Sequence, residues 1–169
     1  MDLFAIILRA IHIGAGVFWV GAGMYMTRFV QPATRRAGPA GASFLVRLGQ
    51  SGIGTAFAAS ATLTVLAGLV LYWRDSAGFQ LGWISTGPGI GYTLGGLAGI
   101  ASLIIGATQA GPITTRLTAL GQSVPEGQVP PGETAAEIDR LLDRATQIGR
   151  IDILLLGFAV LMMAIARYL

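Results

Sequence analysis

The one histidine of the chain, His12, stands in an apolar run that reads Arg9-Ala-Ile-His12-Ile-Gly-Ala-Gly16-Val-Phe-Trp19-Val-Gly-Ala-Gly23-Met-Tyr25-Met-Thr-Arg28. On a helix, His12, Gly16, Trp19 and Gly23 share one face, and Arg9 lies one turn before the imidazole on the same side. A neutral imidazole can ligate haem iron axially, and an ionisable side chain inside a membrane helix is a candidate functional group by default. The neighbouring glycines let a flat group, or another helix, come close to the backbone beside the ring. Three roles are open for His12: cofactor ligation, a hydrogen-bonded packing role, and proton transfer or binding of another metal.

The groups that would complete a haem site lie at the same end of the bundle. Arg9 and Arg74 suit bidentate pairing with propionates. Met163 and Met162, six and seven residues before Leu169, bring thioethers to a similar depth as a second axial ligand or as packing. Arginines beside Tyr72, Trp73 and Tyr168 serve equally as membrane anchors. Cysteine is absent, which excludes disulfides, thiolate metal sites, iron–sulfur clusters and covalent haem attachment, so a haem here would be b-type. A single histidine excludes a multi-histidine cage. All 11 basic residues are arginine, which leaves no Schiff-base or general-base lysine. No carboxylate pair, phosphate-binding loop or nucleophile–base arrangement is present. Met24 and Met26 are soft ligands for Cu(I), although their spacing puts them on different helix faces.

These residues need helices in a membrane to position them. Of 169 residues, 53% are hydrophobic and 11% charged, where a soluble domain carries about 25% charged. Mean hydropathy is +0.68. Such a chain cannot cover a soluble surface, which makes it an integral membrane protein. Charge-free runs cover 10–27, 48–73, 76–115 and 153–166. A bilayer core needs about 20 helical residues. The pattern predicts one transmembrane domain over 1–169, with spans near 3–30, 53–73, 90–111 and 151–168. Gly78, Gly82, Gly87, Pro88 and Gly89 break the first part of the longest run. Asp2, in place of a basic cluster, and the length of the first run point to a retained anchor rather than a cleaved leader. Eight of the 11 arginines fall at the first and third loops, which places those loops in the cytoplasm and both termini outside. The arginines form no stripe interleaved with aromatics, so nucleic acid is not an expected partner.

Helices in lipid associate through small residues. Gly87, Gly91, Gly95 and Gly99 make one ridge, and Ala56, Ser60, Thr64 and Gly68 another; both are expected to face protein, and the two are candidates to face each other. In the third loop, Pro130-Pro131-Gly132 reads as a stop. Thr134 and Glu137 read as a capping box. Ile138, Leu141, Leu142, Ala145 and Ile148 then form an apolar stripe, opposite Asp139, Arg140, Asp143 and Arg144. This predicts an amphipathic helix in the loop that runs into the fourth span, lying on the bundle or headgroups or docking a partner subunit. Asp152 and Gln109 are expected near the inner ends of the fourth and third helices, as caps or structural hydrogen bonds.

Arg9-x-x-His12 with Trp19, Tyr25 and Arg28 resembles the first helix of the HemJ-type protoporphyrinogen oxidases. It is also similar to the membrane domain of CopD-type copper-resistance proteins and to uncharacterised four-helix bacterial membrane proteins of that broad group. The four-span layout, the Leu-Ala-Gly68-Leu-Val-Leu-Tyr72 end of the second helix and Arg150-x-Asp152 at the fourth agree with it. The resemblance implies an all-α integral membrane four-helix bundle in a bacterial cell membrane and a haem-binding role for His12. The family's third-helix lysine has no counterpart in this chain, which argues against porphyrinogen oxidation. The expected function is a membrane-embedded b-type haem protein in electron transfer or haem-related redox, with His12, Arg9, Arg74, Trp19, Gly16 and Met162 around the cofactor. The alternatives are a non-catalytic subunit or assembly factor of a larger membrane complex, and copper handling. Beyond the lipid bilayer, the expected partners are other membrane subunits or further copies of the chain.

Overall fold

The computed structural model describes residues 2–125, 128 and 131–169, which form helices and turns with no strand. Four helices are long and apolar enough to cross a membrane: α1 (Leu3–Arg36), α3 (Ile53–Asp75), α5 (Gly87–Ser123) and α6 (Gly132–Tyr168). Two shorter helices join them, α2 (Pro39–Gln50) and α4 (Leu81–Ile84). The chain reverses at Gly38 and Gly52, with φ of +58° and +82°, a region glycine enters without steric cost. The α1 backbone is capped by the Asp2 carboxylate, which accepts from the Ala5 N–H at 3.2 Å. Thr86 does the same for α5 through Gly89 at 3.2 Å.

α1 and α5 each carry one widened turn, at Met26–Val30 and Gly106–Ala110, where a backbone N–H bonds five residues back instead of four. Gln31 N–H reaches the Met26 carbonyl and Gly111 N–H reaches that of Gly106. A proline follows at once in both cases, Pro32 and Pro112. Proline has no N–H to give and its ring crowds the carbonyl four residues back, so widening the turn lets the helix continue past it. Both helices therefore run beyond the expected ends of their spans. The two widened turns and the two prolines are each 80 residues apart, so the hairpin of α1 and α3 and that of α5 and α6 have matching first helices.

Each hairpin is zipped by small residues, but not in the arrangement of ridge against ridge. α1 packs on α3, and α5 on α6. Gly87, Gly91 and Gly95 lie against Leu169, Ala166 and the Ala159–Met163 stretch of α6, while Gly99 meets no neighbouring element. On α3, Thr64 and Gly68 face Gly16 and His12 of α1. Ser60 is buried and Ala56 is exposed. Backbone atoms of Leu169 and Ala159, together with Ala166, Met162 and Met163, fill the space that the missing Cβ atoms of Gly87, Gly91 and Gly95 leave. A central core of Trp19, Ala61 and Leu156 joins α1, α3 and α6, with Val20, Phe57, Val65 and Leu103 around it. Much of the remaining apolar surface is exposed, including Val17, Leu97 and Leu154, as expected where lipid is the solvent.

In the third polar region, residues 132–150 are helical and run without a break into the fourth span as the first part of α6. The helix starts at Gly132, two residues before Thr134, so the capping box is not made. The Glu137 carboxylate instead accepts from Arg116 of α5 at 2.8 and 3.2 Å. A two-bond ionic contact outcompetes a cap on N–H groups already inside a helix. Pro130 of the expected stop lies outside the described residues; Pro131 is the residue at which the helix begins.

Candidate functional site

His12 lies in the seam between α1 and α3, half-buried, with its ring against the α3 backbone. Its Nδ1 is 2.7 Å from the Thr64 carbonyl oxygen. A carbonyl oxygen can only accept, so Nδ1 carries the proton and, in the neutral ring, Nε2 carries the lone pair. Nε2 makes no hydrogen bond among the described residues. The ring sits where a side chain at position 68 would be: a Cβ there would lie 2.8 Å from Cε1 and 3.0 Å from Nδ1. Gly68 is the reason the imidazole can reach the backbone of α3. Thr64 keeps its own hydroxyl on the Ser60 carbonyl at 2.7 Å, which leaves its carbonyl to the histidine and the helix.

Of the other expected site residues, Gly16, Trp19, Arg9 and Arg74 lie along or beside this seam, and Met162 lies in another. Gly16 lies over Thr64, with room for a Cβ at 3.4 Å from its methyl, and Gly23 lies over Phe57. Both glycines admit a neighbouring helix. Trp19 is buried in the central core between α1, α3 and α6, and Phe18 stacks obliquely on Phe57 at 5.9 Å. Arg9 is exposed, 3.8 Å from the Asp75 carboxylate. Arg74 donates to the Asp2 carboxylate. Arg9 and Arg74 thus hold carboxylates, crosswise, one from each helix of the hairpin. Arg74 and the Ala5 N–H together hold the Asp2 carboxyl below its ordinary value of 3.8. Met162 sets its Cβ, and Met163 its methyl, against Gly95 in the α5/α6 seam. Met24 is exposed and Met26 lies in the widened turn of α1. Among the described residues, no three of His, Cys, Asp and Glu converge as metal ligands.

Two polar contacts join helices through partners that the sequence does not name. The Tyr72 hydroxyl meets the Thr93 hydroxyl at 2.6 Å, linking α3 to α5. Around it Tyr72 packs edge-on to Trp83 at 5.4 Å, and Trp83 stacks parallel to Tyr92 at 6.4 Å. The second contact is between α5 and α6, where the Ser102 hydroxyl, almost fully buried, donates to Asp152. It makes Asp152 a structural hydrogen-bonding group, one of the two roles expected of it. Its partner leaves no more trace in the sequence than a serine in an apolar helix. Gln109 stays exposed in the widened turn of α5. No protein-family model, curated protein or solved structure matches the chain.

Proposed function

We propose that the chain is a membrane-embedded b-type haem-binding protein in which His12 would hold the iron. The single observation that supports this reading is the state of the imidazole. Its Nδ1 is held by the Thr64 carbonyl at 2.7 Å, and a ring fixed through one nitrogen presents the other as a directed lone pair, the usual second-shell arrangement of a metal-ligating histidine. Arg9 and Arg74 already bind carboxylates at the outer end, those of Asp75 and Asp2. Propionates would compete with those carboxylates for the same guanidinium groups. Trp19 and Gly16, on the His12 face of α1, would border the group, whereas Met162 lies against Gly95 in the α5/α6 seam. Bound haem would supply one-electron chemistry; the chain would orient it and keep water away. The resemblance of the Arg9–Arg28 helix to HemJ- and CopD-type membrane proteins points the same way.

A second reading, a structural subunit of a larger membrane assembly, has its own support. His12 is satisfied by packing and one hydrogen bond, both arginines have acidic partners, and Met162 lies against Gly95 in the other seam. One experiment separates the two. The protein is purified from haem-sufficient cells and its absorbance spectrum recorded, then again as His12→Ala. The haem reading requires a Soret band and a reduced α-band that the variant lacks. Protein that stays colourless after haem supplementation refutes it and leaves the subunit reading.

We also read the chain as a bacterial cell-membrane protein with both termini outside, on the arginine distribution. Cysteines introduced at the exposed positions Ser51 and Ser85 test this in intact cells. Impermeant reagent should label Ser85→Cys and spare Ser51→Cys; the reverse pattern inverts the topology.

A further inference from the structure

We infer that the groove between the end of α1 and α6 is a headgroup site for an anionic phospholipid, with Arg150 as its main phosphate ligand. The groove encloses about 530 Å³ and is lined by Arg35, Asp143, Thr146, Gln147, Arg150 and Ile151. Arg35 spends one N–H on Asp143 at 2.7 Å. Arg150 has no carboxylate partner among the described residues. Two arginines against one carboxylate leave the lining net positive, with the whole Arg150 guanidinium and the Gln147 amide still able to donate. The Thr146 hydroxyl is already used on the Leu142 carbonyl at 2.8 Å.

The apolar residues that follow identify the ligand as a lipid. Ile151 closes the groove and is 49% exposed; Leu154, Phe158 and Leu161 continue from it at 74, 42 and 54% exposure. Asp143, Gln147, Arg150, Leu154, Phe158 and Leu161 fall on one side of α6 by helical spacing. That side is therefore polar and cationic up to position 150 and apolar and uncovered from 151 onward, which is the order of headgroup and acyl chain in a leaflet. A guanidinium between helices at this boundary matches a phosphate in charge and in fork geometry. A free phosphate would have no use for the apolar track.

The test uses the full-length protein in uncharged detergent and reads its melting midpoint against added phosphatidylglycerol, phosphatidylcholine or inorganic phosphate. Phosphatidylglycerol should raise the midpoint saturably, and the other two should not. Arg150→Gln should weaken the apparent affinity for phosphatidylglycerol about fivefold, the worth of one interfacial charge. Arg150→Lys should recover part of that loss, and Arg167→Gln, at the far end of the same helix, should leave the affinity unchanged. Equal stabilisation by phosphatidylcholine, full competition by inorganic phosphate, or equal loss in Arg150→Gln and Arg167→Gln would each overturn the assignment.

Discussion

Gly68→Ala is the sharpest test of how α1 and α3 fit together. Helix propensity alone favours the change, because alanine in a helix interior is better than glycine by about 1 kcal/mol. The seam opposes it. The new Cβ would lie 2.8 Å from His12 Cε1 and 3.0 Å from Nδ1. Restoring ordinary carbon contact near 3.5 Å moves the ring by about 0.7 Å. The ring cannot move freely, because its Nδ1 is on the Thr64 carbonyl at 2.7 Å, one turn along the same helix. Overpacking costs about 1–3 kcal/mol, and loss of the hydrogen bond about 0.5–1.5 kcal/mol. Set against the propensity gain, the net is a destabilisation of about 0.5–3.5 kcal/mol. The decisive assay is a thermal-melt cycle in detergent with His12→Ala. Without the imidazole the obstacle is gone and only the propensity term remains, so Gly68→Ala should then stabilise, by up to about 1 kcal/mol. A stabilising effect in the wild-type background, or additive effects of the two substitutions, would refute the argument that Gly68 exists to admit His12.

Two further outcomes follow from the packing and from the Asp2–Arg74 pair. Gly95→Leu should lower the melting midpoint strongly, because a Cβ there already sits 3.2 Å from the Ala159 carbonyl, Met162 Cβ and Met163 Cε; Gly82→Leu, with nothing within 4 Å, should melt like wild type. For the Asp2–Arg74 pair, the lowered carboxyl pKa means a stabilising contribution fully present above the ordinary value of 3.8 and lost as pH falls through the lower, folded-state value. Asp2→Asn should remove this part of the acid dependence and leave the near-neutral profile flat, as melts across pH 2–7 on both proteins would report.

The four apolar helices could be read without any partner. Spanning a bilayer is a property of one segment, set by its length and by the cost of burying charge, and both are written in consecutive residues. That His12 would share a face with Gly16, Trp19 and Gly23 was equally legible, because helical periodicity is local. What the glycines and the imidazole would meet was not. Gly95 against Met162, Gly68 against His12 and Ser102 against Asp152 join residues 50 or more positions apart, and which helix lies beside which follows from close packing summed over whole faces. The same competition explains the failed capping box. Thr134 and Glu137 have the right local spacing, yet Glu137 turns to Arg116 of α5, because a charged pair brought close by the fold is stronger than a cap within one turn. Arg9 and Arg74 show the limit most plainly: their type says that they bind carboxylates, and the fold supplies Asp75 and Asp2 because the N-terminal end of α1 and the C-terminal end of α3 meet at one surface.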